Sequence, residues 1–206
     1  MATLDGMKVA MLVTDNFEQV EMTQPRETLK SAGAQTMLVS DQRGMVQGVH
    51  HDRKGEQFSV EATFDEVNPQ DFDAVLLPGG VMNADQIRII PGAQRIVKSV
   101  EGSGKPIAVI CHGAWLLVSA GLVQGRTLTS WPTLQDDIRN AGGNWVDKEA
   151  VVDRNWVSSR KPDDIPAFNL RMIELFAQHR QGRAAASGTQ TRSTGQASLT
   201  RRGGAP

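Results

Sequence analysis

The chain contains one cysteine, and it stands where a thiol can do chemistry. Cys111 follows the apolar run KPIAVI and is followed at once by His112 and Gly113. A thiol at the start of a helix lies near the positive end of the helix dipole, which lowers its pKa and favours the thiolate. A small neighbour such as Gly113 is typical of the sharp strand-to-helix turn that presents a nucleophile. The pattern predicts a nucleophilic Cys111, against the alternative of a buried structural cysteine.

Two glycines that follow another apolar run, DAVLL, can complete a site for a reacting carbonyl group. In Pro78-Gly79-Gly80 the backbone has no side chains that would keep a ligand away. We expect Gly79 and Gly80 to bind the substrate, with the N–H groups of Gly80 and His112 as oxyanion donors. The alternative interpretation of the two glycines is an ordinary tight turn.

A carboxyl group is also expected near the sulfur. Glu18 lies in DNFEQVE, just after the first apolar run. If protonated it can hydrogen-bond the thiolate, and if ionised it can act as a base. The alternative is a carboxylate that interacts with a helix N-terminus, an interpretation that we favour for Glu21 and leave open for Glu18. Adjacent side chains diverge on a sharp turn, so the His112 ring need not touch the sulfur.

Apolar runs and helical patterns alternate along the chain and predict the elements that position these groups. Continuous apolar runs are typical of strands buried on both faces, and strand–helix alternation predicts a parallel sheet covered by helices. Ligands of such folds bind at the carboxyl ends of the strands. The predicted strands are 7–13, 35–40, 58–64, 73–80, 105–110, 126–130, 149–153 and 155–159, and the predicted helices are 18–32, 93–102, 113–120, 132–140 and 162–179. We therefore expect residues 15–18, 78–80, 111–113 and 130–132 to converge at one edge of the sheet.

Composition limits the class of protein. The 206 residues are 39% hydrophobic, which suits a single α/β domain over residues 1–179. One cysteine excludes an intrachain disulfide and fits a reducing compartment, and the sequence shows no signal-peptide or membrane-span pattern, so we expect a cytoplasmic protein without membrane contact. Residues 180–206 hold five arginines and no acid, and their composition predicts a disordered basic tail.

Nucleic acid, metals and nucleotide cofactors are not expected as partners. Residues 1–179 carry 17 basic against 23 acidic side chains, an unfavourable surface for nucleic acid. The four histidines, at positions 50, 51, 112 and 179, do not have the spacing of a metal site. GxGxxG and P-loop motifs are absent from the sequence. We expect no cofactor.

Taken together, these motifs resemble a known family. DNFEQVE, LLPGG, VICHG, AGGNWVD and VVDRNWVSSRKPDDIPAFN, in this order, are similar to the PfpI family of the class I glutamine amidotransferase-like superfamily. The resemblance covers about residues 7–178 and implies a flavodoxin-like α/β sandwich that assembles as a dimer or hexamer. It implies that Cys111 is the nucleophile, that His112 is a neighbouring catalytic residue and that Glu18 touches the sulfur. It also implies a third acid from a neighbouring subunit, for which Asp85 is the candidate.

The family includes enzymes described as protein deglycases, glutathione-independent glyoxalases and intracellular cysteine proteases. The resemblance therefore implies a stress-protective cysteine hydrolase that acts on methylglyoxal, on glyoxal or on their early adducts with proteins. Trp131 either lines the pocket or belongs to the core. The alternatives are a peptidase that uses the same nucleophile, a redox sensor based on Cys111, and a chaperone-like oligomer in which the thiol is incidental.

Overall fold

A seven-stranded sheet forms the middle layer of the molecule. The structure, a computed structural model, describes residues 3–196. Its strands are β1 (Lys8–Leu12), β2 (Phe17–Glu18), β3 (Gln35–Ser40), β4 (Gly44–His50), β5 (Arg53–Val60), β6 (Ala62–Thr63), β7 (Ala74–Leu77), β8 (Ile107–Ile110), β9 (Thr127–Leu128), β10 (Asn144–Trp145), β11 (Ala150–Asp153) and β12 (Trp156–Ser159). Its α-helices are α1 (Gln19–Ser31), α2 (Val81–Ile87), α3 (Pro91–Gly102), α4 (Ala114–Ser119), α5 (Gln135–Asn140) and α6 (Ile165–Gln196).

The order of the strands explains why the central ones are apolar throughout. The sheet runs β11-β12-β8-β7-β1-β3-β6, and every pair is parallel except β11 with β12. All four residues of β7 and of β8 are buried. A strand with helices on both faces has no polar side, which is what the continuous apolar runs predict. The predicted α/β sandwich with a mostly parallel sheet is confirmed.

Alternate side chains of β1 pack into two separate hydrophobic cores, one on each face of the sheet. Val9 and Met11 pack with apolar residues of α1 and α6 on one face of the sheet. Ala10 and Leu12 pack with apolar residues of α3 and α4 on the other face. Because successive side chains of a strand point to opposite faces, one strand can anchor both helix layers.

The carboxyl ends of β1 and β7 border a crevice. From β1 the chain builds outward through β3 on one side and through β7 and β8 on the other. Loops that leave neighbouring strands in opposite directions open a cleft at this point, where α/β folds bind their ligands. A smaller sheet, in which β2 pairs with β4 and β4 forms a hairpin with β5, stands beside the crevice.

Some elements of the structure differ from the predicted ones. The strand predicted at 58–64 is divided between the end of β5 and the separate strand β6. Helix α2 was not predicted, because its seven residues are too few for a clear apolar period. Helix α6 ends at Gln196 and so includes residues 180–196 of the segment predicted to be a disordered tail, and the disorder of the tail stays a prediction. The rest of that tail, 197–206, lies outside the described residues.

We predict that Gly113→Ala destabilises the fold. A Cβ at Gly113 would lie 2.6 Å from the carbonyl oxygen of Leu77 and 2.9 Å from that of Pro78, both of which belong to backbone. Strand β7 would have to move away from the start of α4, at a cost of about 1–3 kcal/mol in the free energy of unfolding. Gly102→Ala is the control, because a Cβ there meets nothing within 4 Å. Equal denaturant midpoints for the two variants would contradict this account.

Candidate active site

Cys111 lies on a strained turn between β8 and α4. Its φ is +59°, in the left-handed region that residues with a side chain rarely adopt. Ile110 before it is extended, and residues Cys111–Gly113 form a 3-10 turn that leads into α4. Backbone strain of this kind costs about 1–3 kcal/mol and is concentrated at functional sites. The turn lifts the thiol above the end of the sheet, as the strand–Cys–His–Gly pattern predicts.

Two backbone N–H groups point to the sulfur, those of His112 and Gly80. The thiol itself is buried, with 6% of the residue exposed. Burial and the charge of Glu21 raise the pKa of the Cys111 thiol well above its usual range, while the two N–H groups lower it. Donors that face a buried sulfur favour its thiolate and can equally hold an oxyanion that forms beside it.

Glu21 of α1 is the carboxyl group that faces Cys111. The two side chains interact directly, and Glu21 is completely buried. Its Oε2 accepts a hydrogen bond of 2.8 Å from the Gly79 N–H. Burial raises the pKa of Glu21 to about 8, and the nearby Glu18 contributes to the rise. Glu21 is therefore mostly protonated at pH 7.

The prediction that Glu18 touches the sulfur is wrong, because α1 begins one residue after it. Glu18 lies in β2, and its Oε2 accepts a hydrogen bond of 3.0 Å from the His51 N–H of the hairpin. One helical turn further on, Glu21 shares the buried face of α1 with Pro25 and Leu29. The spacing of four residues between these three positions is a signal in the sequence that identifies Glu21 as inward-facing.

The two glycines have different roles in the structure. Gly80, with φ +89°, directs its N–H at the sulfur, so the geometry expected of an oxyanion donor is present. Gly79 does not offer its N–H to a ligand, because Glu21 occupies it. A Cβ on Gly79 would lie 2.6 Å from Glu21 Oε2 and 2.7 Å from Cys111 Cβ. The absence of a side chain at Gly79 is what allows the carboxyl group and the thiol to meet.

Asn83 holds this turn in place, a role that the sequence pattern does not predict. The side chain is fully buried in α2. Its Oδ1 accepts a 2.7 Å hydrogen bond from the Thr14 N–H, and its Nδ2 donates to the carbonyl oxygens of Pro78 and Gly79 at 3.2 and 2.9 Å. These bonds connect the end of β1 to the end of β7. The signal is an asparagine three residues after a Gly-Gly turn, which is not specific enough to predict this role.

His112 is a neutral neighbour of the thiol. Its Nδ1 lies 3.3 Å from Cys111 Sγ, so the expectation that the ring diverges from the sulfur is wrong. The ring stacks on Trp131 at 5.7 Å between centroids and meets the edge of Trp115 at 5.4 Å. Burial lowers the pKa of His112 to about 4. A neutral imidazole gives the thiolate no positive charge, but it can accept or relay a proton.

The reacting groups open into a cavity of about 630 Å³. Its wall includes Cys111, Glu18 and Glu21, and it also includes Trp131, which therefore lines the pocket. The hairpin tip and α2 form the outer rim. Asp85 is exposed on α2 and is not part of this wall, so a role in the site would require a neighbouring subunit.

Comparisons with known proteins show the family of this chain. The model of the DJ-1/PfpI family matches residues 7–175. The chain belongs to the DJ-1/PfpI family. It is 42% identical over 170 residues to "Deglycase PfpI" of Pyrococcus furiosus, across 82% of this chain and 99% of the relative. It is 41% identical over 175 residues to "Protein/nucleic acid deglycase 2" of Escherichia coli, across 82% and 97%.

The fold of solved DJ-1/PfpI structures also matches. Drosophila melanogaster DJ-1beta superposes with a TM-score of 0.75 at 26% identity, over 89% of this chain and 97% of that protein.

Within residues 3–196 no cluster of three or more His, Cys, Asp or Glu side chains is arranged to hold a metal ion. In the same part of the chain, no helix combines the length and apolarity that crossing a membrane requires.

We predict that Glu21→Gln makes the stability of this DJ-1/PfpI protein less sensitive to pH. The folded-state pKa of Glu21, about 8, exceeds the ordinary 4.5. The contribution of Glu21 to stability is therefore complete below about pH 4.5 and is lost as pH rises to about 8, by up to about 1.4 kcal/mol per pH unit. Urea unfolding across this range should give a flatter profile for Glu21→Gln. Glu27→Gln, on the exposed side of α1, should retain the wild-type slope, and equal slopes for all three proteins would contradict the assignment.

Proposed function

We propose that this protein is a cofactor-independent cysteine hydrolase of the deglycase type. Its substrates are methylglyoxal or glyoxal and the early adducts that they form on protein side chains, and its products are a hydroxy acid and the repaired side chain. The observation that carries the proposal is the buried Cys111–Glu21 contact, in which a protonated carboxyl group and two N–H donors face one sulfur. The deglycase names of relatives that match almost end to end support it.

The reactive form of the pair holds one proton, with a thiolate at Cys111 and a protonated Glu21. The thiolate attacks the aldehyde carbon, and the N–H groups of Gly80 and His112 hold the oxygen as it gains charge. Glu21 gives its proton to that oxygen, so a neutral hemithioacetal forms. With an amine-borne adduct, the sulfur replaces the amine at the same carbon, and the amine leaves with the proton.

A proton transfer between adjacent carbons follows. Ionised Glu21 removes the proton from the carbon bound to sulfur and returns it to the neighbouring carbon, while the hydroxyl proton passes from the first oxygen to the second, and the hemithioacetal becomes a thioester. The first carbon is oxidised and the second is reduced, so no external oxidant or reductant enters. Water then hydrolyses the thioester and restores Cys111. For methylglyoxal the sum is one dicarbonyl and one water to one lactic acid.

The dimensions of the cavity favour a substrate larger than a free dicarbonyl. Cavities of about 300–1,000 Å³ hold drug-sized ligands, and the 630 Å³ here lies in that range. A three-carbon aldehyde fills a small part of it. The remaining space can admit the side chain that carries an adduct. The size of the cavity therefore supports repair of modified proteins in addition to turnover of free aldehyde.

We also propose that the protein acts as a homo-oligomer, a dimer or hexamer, in the cytoplasm. Exposed Val81 and Met82 on α2 support a contact between subunits at the cavity mouth. Asp85 follows them on the same short helix and is exposed, so it is free to reach the cavity of a neighbour. The single free thiol fits a reducing compartment.

We predict that Cys111→Ser reduces lactate formation from methylglyoxal at least about 1,000-fold, because a hydroxyl is a much weaker nucleophile than a thiolate. Lactate is measured for wild type, for Cys111→Ser and for Gly102→Ala as the control. A peptide whose side chains carry early methylglyoxal adducts is measured in parallel. Lactate formation that survives the loss of the thiol would contradict the proposal. Cysteine-dependent cleavage of an unmodified peptide, with no lactate formed, would support a peptidase instead.

A further inference from the structure

The wall of the cavity carries a negative charge that no arginine or lysine neutralises. The Glu18 side chain is only 9% exposed, and its carboxylate faces the cavity. Within the described residues, its one hydrogen bond comes from the His51 N–H, and its one ion-pair partner is His51 Nδ1 at 3.7 Å. That imidazole is 80% exposed. Glu18 therefore needs no rearrangement to meet a cation that enters the cavity.

The other ionisable groups around the cavity do not cancel this charge. Asp52, next to His51, adds a second acid to the wall, and neither lysine nor arginine is among the described residues that line it. His112 is neutral at pH 7 because burial lowers its pKa to about 4. Of the basic side chains nearby, Arg160 is paired with Asp147 and Asp164 and Lys161 with Asp163, while Arg53 and Lys54 of the hairpin are exposed and do not line the cavity. Among the described residues that line the cavity, carboxylates are therefore not matched by lysine or arginine.

The Glu18 carboxylate is also held rigidly. The next residue, Gln19, accepts a 2.7 Å hydrogen bond from the Glu56 N–H and donates another of 2.7 Å to the Glu56 side chain. This amide fastens the β4–β5 hairpin to the start of α1, and the hairpin carries His51. Because both ends of the Glu18–His51 contact are fixed, a ligand does not have to order them, which favours binding.

We propose that Glu18 is a specificity-determining residue that makes the cavity prefer carbonyl adducts on positively charged side chains. This inference rests on the proposed function. An early adduct on arginine retains its guanidinium charge, and an adduct on lysine retains a protonatable amine. A cysteine adduct is neutral, and an α-oxo acid such as glyoxylate is an anion. The expected order of turnover is cationic adducts first, neutral ones next and anionic carbonyl compounds last.

The position of Glu18 relative to the sulfur fits this role. A Cβ on Gly80 would lie 2.6 Å from the Glu18 backbone nitrogen, and the Gly80 N–H points to Cys111 Sγ. In an amine-borne adduct the nitrogen is bonded to the carbon that the sulfur attacks. The backbone of Glu18 thus lies beside the Gly80–Cys111 pair, and its side chain lines the same cavity as the sulfur, so a charged group on that nitrogen enters a cavity that Glu18 borders.

The preference can be measured without any enzymatic turnover, because Cys111 is the only cysteine in the chain. Methanethiosulfonate reagents that carry a trimethylammonium or a sulfonate group modify the same thiol and differ in charge. We expect the ratio of the cationic to the anionic rate constant at Cys111 to exceed that of a free thiol at least about 10-fold. Salt should reduce the ratio, since it screens the carboxylate at the mouth of an open cavity.

Variants of Glu18 separate charge from structure. Glu18→Gln should lower the rate ratio about 10-fold, Glu18→Asp should retain most of it, and Glu27→Gln should not change it. If Glu18→Gln does not fold, Asp52→Asn should lower the ratio in the same direction, and the salt dependence of wild type needs no variant. A ratio equal to that of a free thiol, or one that is the same in wild type and Glu18→Gln, would overturn the inference.

Turnover then distinguishes this inference from the proposed function. Lactate is measured from arginine-borne and cysteine-borne methylglyoxal adducts on otherwise identical peptides, with free methylglyoxal as the neutral reference. Loss of the arginine preference in Glu18→Gln supports the inference, and an equal fall for all three substrates contradicts it. If wild type releases no lactate from any of them, the proposed function fails, while the rate ratio of the thiol reagents still decides whether the cavity selects cations.

Discussion

The contact between Cys111 and Glu21 is the interaction on which the rest of the site depends. A carboxyl group with no exposure would carry a large desolvation cost as an anion, and burial accordingly raises its pKa to about 8. The thiol beside it is also buried and also resists ionisation. The two groups are coupled, because the loss of a proton from one is disfavoured once the other is ionised.

This contact forms only if the ends of three strands and the start of one helix are correctly placed relative to one another. β1 leads to α1, which carries Glu21, and β8 leads to the strained turn at Cys111. β7 leads to the Gly-Gly turn, which passes between them so closely that a Cβ on Gly79 would touch both groups. Asn83 joins the ends of β1 and β7, so the position of the turn does not depend on its two glycines alone.

Much of this arrangement was predictable because it follows from continuous apolar runs and from the residues just after them. The parallel sheet and the turn at Cys111 are present as the sequence indicates. The sequence left open whether Trp131 lines the pocket or belongs to the core, and the structure places it in the pocket wall. Which of Glu18 and Glu21 faces the sulfur was not predictable from the sequence. It depends on whether α1 begins before or after residue 18. A shift of one or two residues at a helix start decides which carboxylate faces the sheet, and sequence patterns fix such boundaries poorly.

The residues that surround the His112 ring could also not be predicted from the sequence. Its neighbours in the chain are a cysteine and a glycine, which suggest a Cys–His pair. The aromatic rings that enclose it come from α4 and from the loop after β9, and such contacts have no signature in a local pattern. Burial among them lowers the pKa of His112 to about 4, whereas burial raises the pKa of Glu21 to about 8.

A pH titration of the glutamate side-chain carboxyl carbons by ¹³C NMR tests the raised pKa of Glu21 and its coupling to Cys111 most directly. The resonance of Glu21 is assigned as the one that is missing from Glu21→Gln. The account predicts that this carboxyl group is still mostly protonated at pH 7 and titrates near pH 8, and that its titration changes in Cys111→Ser. A Glu21 that is ionised at pH 6 and above, with the ordinary pKa of about 4.5, would contradict it.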